Sequence, residues 1–183
     1  MYYTLLVFHS VSRWFVLGSL IYAIITAYRG LSRKQAFTPK ANAIRHWTAT
    51  IAHIQLLIGM AIYVQSPAVL YQTFGSPDKV VNEQIFFKYF HISTMILAIL
   101  IITIGSAKTK RLKEDSAKYQ TMLRWFTAAL VIIFIAIPWP FSPLAGRPYL
   151  RTFRTIIIFF QILKFSLCTS SIKFSKHRWA AYD

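Results

Sequence analysis

Three of the five histidines, His9, His53 and His91, with one arginine and one lysine, lie inside apolar stretches and are the residues of this chain whose types and spacing could do chemistry. His9 and Arg13 stand four residues apart, so on a helix they share one face, and the segment that follows, Phe15 to Tyr28, suits hydrocarbon. An ionisable group in a membrane span is costly. It points into a bundle and marks a ligand, ion or proton site. His53 lies in the run Ile51 to Ile58, and Lys88 and His91 stand three apart at the start of another apolar run. Neutral imidazoles bind metals or relay protons, and cationic side chains hold carboxylates. The single cysteine, Cys168, rules out an internal disulfide, a Cys-x-x-Cys-His attachment and a cysteine-held cluster. No His-Glu-x-x-His, Gly-x-Ser-x-Gly or phosphate-loop pattern is present, and no intramembrane carboxylate offers an acid–base pair.

The elements that must position these groups are read from composition. With 183 residues, 56% apolar and 16% aromatic content and only five acidic residues, the chain reads as a small all-α integral membrane protein. Its formal charge of +16 does not signal nucleic acid, because the Lys and Arg residues flank apolar runs and form no aromatic-interleaved surface. The N-terminus lacks a basic leader and a small-residue cleavage pattern, so the first helix is expected to be retained.

Four spans are expected, at about Thr4 to Tyr28, Pro39 to Val64, Asn82 to Gly105 and Met122 to Ile137. Thr38-Pro39 is an N-cap with proline at the first helical position, Asn82 caps the third span, and Pro138-Trp139-Pro140 stops the fourth. The connection from Gln65 to Val81 reads as a loop, and a long basic connection is expected between the third and fourth spans. Because the first and third connections are rich in Lys and Arg and the second is not, both basic loops should face the cytoplasm, with the N-terminus outside. Thr155 to Ile172 is a fifth apolar stretch. It either spans, with the basic tail inside, or lies at the outer interface. The expected organisation is thus a four-helix up-down bundle over residues 1–153 and a hydrophobic segment with a basic tail over 154–183.

In such a bundle the first and third helices run parallel across the core. His9 then sits roughly 8 Å inward and His91 roughly 9 Å inward, at ~1.5 Å per residue. Two imidazoles at one depth on diagonal helices are suited to the two axial positions of a haem iron. Arg13 is placed to neutralise a haem propionate, and Lys88 can reach a carboxylate on the same side. His53 falls well below that level, opposite Gly18 and Ala128-Ala129. A second haem, proton transfer, a quinone contact or an interhelical hydrogen bond all remain open for it. His46 is expected among water or headgroups, and Met60 reads as packing.

Several stretches also resemble a known family: His9-Ser10 with Arg13-Trp14, the run His53-Ile54-Gln55-Leu56-Leu57-Ile58-Gly59, Lys88 with His91, Gly105-Ser106-Ala107-Lys108, and Pro143-Leu144-Ala145-Gly146-Arg147-Pro148. Over residues 1 to 153 the chain is similar to small bacterial four-helix integral-membrane proteins labelled cytochrome b-like. It departs from them at Phe90, where an acidic residue usually precedes the third-helix histidine, and in the extension after Phe153. The resemblance implies a bacterial inner-membrane protein that binds haem b non-covalently and passes electrons, to or from quinol, as a subunit of a respiratory assembly. The alternative expectation is a cofactor-free structural or assembly subunit whose histidines only hydrogen-bond between helices.

Overall fold

The computed structural model describes residues 1–70, 83–141 and 148–149, and among these residues every regular element is helical. Helix α1 spans Tyr2–Ser32, α2 spans Pro39–Tyr63, α3 spans Glu83–Arg111 and α4 spans Asp115–Ala136. One further turn, Pro67–Leu70, follows α2. The expected Asn82 cap, the Thr155–Ile172 stretch and the 154–183 segment lie outside the described residues. Helices α1, α3 and α4 are each long and apolar enough to cross a membrane. With 25 residues, α2 extends roughly 37 Å at ~1.5 Å per residue, but Arg45, His46, Thr48, His53 and Gln55 make it more polar.

The helix ends follow local chemistry. Thr38 caps α2 by accepting from the Ala41 amide, with Pro39 in the first turn, as the Thr-Pro pair predicts. Helix α1 runs a turn past Tyr28 and closes around Lys34, whose φ is 49°. The Gln35 amide donates to the Gly30 carbonyl at 2.9 Å and the Lys34 amide to Leu31 at 3.2 Å. This is a Schellman closure with lysine at the position glycine usually takes.

The basic connection expected between the third and fourth spans is corrected. Helix α3 continues to Arg111 and α4 begins at Asp115, leaving Leu112–Glu114 as the link. Lysine and arginine are good helix formers whose stems lie along apolar surface, so they extend the helices instead of ending them. Gly105 is likewise no stop, because α4 crosses there with the Trp125 side chain against it.

Helix α1 packs on α2 and α4, and α3 packs on α4 and α2. Residues 9 and 19 face 55 and 48; residues 45, 53 and 63 face 106, 103 and 88; residue 91 faces 136; and residue 30 faces 119. Neighbours therefore run antiparallel, and α1 and α3 run in the same direction. The interior joins Leu20, Ile102, Met122 and Phe126 to many small side chains, including Ala23, Ala27, Ala52, Ala98 and Ala129. Large apolar groups point outward, with Phe15 65%, Leu57 69% and Ile135 66% exposed. Small residues inside and large apolar residues outside suit helices packed within lipid.

Candidate functional site

The site lies where α1 begins and α4 ends. His91 enters at the close of a π-helical stretch, Phe86–His91, that opens α3. Such a widened turn changes the direction of the side chains it carries and is frequent at functional sites. The His91 Nδ1 donates to the Ala136 carbonyl at 2.8 Å. This bond has a cause in the sequence. In a continuing helix the Phe134 and Ala136 carbonyls would accept from residues 138 and 140, but both are prolines and carry no N–H. The two orphaned acceptors find side chains instead: the Trp139 indole reaches Phe134 O at 2.8 Å, and the His91 imidazole reaches Ala136 O. A carbonyl only accepts, so Nδ1 of His91 holds its proton and the neutral ring keeps its lone pair on Nε2.

His9 approaches from α1. Its ring centroid lies 6.5 Å from that of His91, with the planes at 75°. Gln55 on α2 sets its surroundings: the amide Nε2 lies 3.1 Å from His9 Nδ1 and donates to the His9 carbonyl at 3.0 Å. Gln55 Oε1 makes a short contact with the Ser12 hydroxyl, which also lies 2.6 Å from the Phe8 carbonyl. Gly59 leaves the ring its space, since a Cβ there would stand 3.2 Å from His9 Cε1. Phe86 and Phe87 lie beside His91 at centroid distances of 5.8 and 6.0 Å.

The other residues singled out by sequence are placed as follows. Arg13 donates to the backbone carbonyls of Tyr149 and, at 3.1 Å, Pro148, with its guanidinium 5.6 Å from the Trp14 ring centre. It ties the segment after α4 back to α1. The Lys88 ammonium lies 5.8 Å from the Tyr89 ring centre, while the Lys88 carbonyl accepts from the Tyr63 hydroxyl at 3.2 Å. His53 bonds through Nδ1 to the Ala49 carbonyl at 2.7 Å and meets the Thr103 hydroxyl through Nε2 at 3.0 Å. Thr103 is twelve residues along α3 from His91, roughly 18 Å by helical rise, so His53 stands far from the pair. His46 is exposed beside Trp47, and Met60 is exposed on α2.

Sequence reasoning overlooked Gln55, Ser12, Gly59 and Thr103 as neighbours of the histidines. Gln55 did carry a signal, an amide inside an apolar run that must find a polar partner. Arg45 was also overlooked. It is 5% exposed, holds Asn42 Oδ1 through Nε and Nη2 at 3.1 and 2.9 Å, and holds Ser106 on α3 through Nη1.

Chemically, two imidazoles converge from α1 and α3, which pack mainly through α2 and α4. Among the described residues no three His, Cys, Asp or Glu side chains gather as a metal cage. A metal held here would take its remaining ligands from outside the protein, as iron does from a porphyrin. The 6.5 Å between ring centres is close to the separation of about 6 Å that two histidines would need if one ring nitrogen of each faced a shared metal. His91 meets the usual requirement that a ligating histidine donate its other N–H to a carbonyl. No family model matches this sequence, and no curated protein or solved structure shows significant similarity to it.

Proposed function

We propose that the chain is a multi-pass protein of the bacterial cytoplasmic membrane that binds haem b non-covalently between His9 and His91 and passes electrons as a subunit of a respiratory assembly. The observation that carries this reading is the 6.5 Å separation of the two imidazoles. In this reading all four helices span, the charge bias puts the N-terminus outside and the basic helix ends in the cytoplasm, and the apolar sequence 155–172 is a fifth span or an outer interfacial segment. His91 and His9 would hold the haem iron, Phe86 and Phe87 would exclude water beside His91, and Arg13 and Lys88 would offset the charge of the haem carboxylates. Bound haem supplies one-electron chemistry, with the potential tuned by its ligands, burial and nearby charge. His53 stands apart at the other level, where its bond to Thr103 supports the interhelical hydrogen-bonding role among those open to it.

Gln55 favours a second reading, a cofactor-free structural or assembly subunit. A donor aimed at His9 Nδ1 leaves the proton of the neutral ring on Nε2, the state in which His9 donates a hydrogen bond and binds no metal. Absorbance of the detergent-purified protein from haem-replete cells separates the two. The haem reading expects a reducible b-type spectrum that disappears in both His9→Ala and His91→Ala while the variants stay folded. A colourless wild type whose melting temperature falls in both variants favours the structural reading.

A further inference from the structure

The triad Ser12–Gln55–His9 admits two hydrogen-bonding patterns. In the first, Gln55 Nε2 faces both His9 Nδ1 and the His9 carbonyl, and Oε1 faces Ser12. The His9 carbonyl accepts and never donates, so it holds Nε2 on that side; Nδ1 must then accept, and the proton of the neutral ring sits on Nε2. In the second, the amide is turned by half a revolution. Nε2 then donates to Ser12 Oγ, and the Ser12 proton goes to the Phe8 carbonyl 2.6 Å away. Oε1 accepts from His9 Nδ1, and the His9 Nε2 lone pair is released.

In the first pattern Ser12 donates to Gln55 Oε1, and in the second it accepts from Nε2. The turned amide would set Oε1 against the His9 carbonyl, two acceptors face to face, so the first pattern is the resting one and the second needs a side chain at position 55 or a ligand that offsets that contact. We propose that Gln55 is a positioning residue whose amide orientation selects the tautomer of His9, and that turning it converts His9 Nε2 from a hydrogen-bond donor into a base available to a metal. His91 has no such freedom, since its Nδ1 proton is committed to Ala136. The pair is therefore asymmetric, with one ligand permanently ready and one gated by α2. The consequence for metal binding rests on the haem reading above; the tautomer selection itself does not.

The test uses full-length protein in detergent without haem, with ¹⁵N-labelled imidazoles observed by NMR. Wild type is expected to show His91 protonated on Nδ1 and His9 protonated on Nε2. In Gln55→Glu the carboxylate offers only acceptors, and His9 is expected to switch to the Nδ1-protonated form. In Gln55→Met, which keeps the volume and removes the amide, the two His9 forms are expected to mix. Unchanged His9 nitrogen shifts in both variants overturn the proposal, and Gln55→Met alone decides it if Gln55→Glu does not fold. On haem addition, Gln55→Glu is expected to bind roughly 10-fold more tightly than wild type, the lower end of the effect of a partner to a ligating histidine. Equal or weaker binding by a folded Gln55→Glu overturns the gating step. Absence of haem binding in every form instead removes the haem reading, and the NMR result still decides the tautomer selection.

Discussion

At the scale of single residues, the chemistry of His91 follows from two prolines on another helix. Pro138 and Pro140 remove two amide donors from the end of α4, and the Ala136 carbonyl they expose fixes the protonated nitrogen of His91. His91→Ala is expected to leave that carbonyl unpartnered and lower stability in detergent by about 1–3 kcal/mol, read from a denaturant titration. His9 has a different dependence. Gly59→Val is expected to displace the His9 ring from its present place while α2 stays helical, abolishing haem absorbance with little change in helical circular dichroism. If haem absorbance persists in that variant, His9 does not ligate. Arg45 joins α2 to α3 through a forked set of bonds that lysine cannot reproduce, so Arg45→Lys is expected to cost about 2 kcal/mol in the same titration.

At the scale of elements, close approach and closure matter more than intrinsic propensity. A methyl group at Gly30 would overlap the Tyr119 ring, and one at Gly105 would overlap Trp125, whereas Gly18 has open space beside it. Gly30→Ala and Gly105→Ala are therefore expected to force α4 off its neighbours and lose about 1–3 kcal/mol. Gly18→Ala should be neutral or gain up to about 1 kcal/mol from helix propensity. Thermal melts of the three variants side by side make that comparison. Lys34 is the opposite case, a side chain in the left-handed region where glycine fits without strain. Lys34→Gly is expected to raise stability by about 0.5–1 kcal/mol, the net of relieved strain and greater freedom of the unfolded chain.

For the whole molecule, alanines fill much of the interior between Leu20, Ile102, Met122 and Phe126 while many large apolar side chains cover the outside, which is not the surface water would select. Charge sits at the ends: Arg29, Arg33 and Lys34 close α1, and Lys108, Lys110 and Arg111 close α3. Because neighbouring helices alternate in direction, these ends lie on one side of the molecule. In intact cells carrying Cys168→Ser, a cysteine placed at Lys113 is expected to react with an impermeant maleimide only after permeabilisation, whereas one placed at Tyr3 should react directly. Labelling in the reverse pattern would invert the proposed topology.

Helical class, lipid-facing character, the Thr38-Pro39 start of α2 and the proline stop of α4 were legible in the residues themselves. Each depends on local chemistry: apolar runs long enough to span, a hydroxyl before an orphan amide, or a missing N–H. The ends of α1, α3 and α4 at Ser32, Arg111 and Asp115 were not, because basic side chains continue a helix as readily as they leave it. Helical rise brought His9 and His91 to one depth on paper. Rise says nothing about rotation, and only the packing of the helices sets 6.5 Å between the two ring centres. Packing alone also brought Gln55 from α2 and the Ala136 carbonyl from α4 to the ring nitrogens. Side-chain direction and hydrogen-bond choice depend on neighbours distant in the chain, and these decide which nitrogen carries the proton.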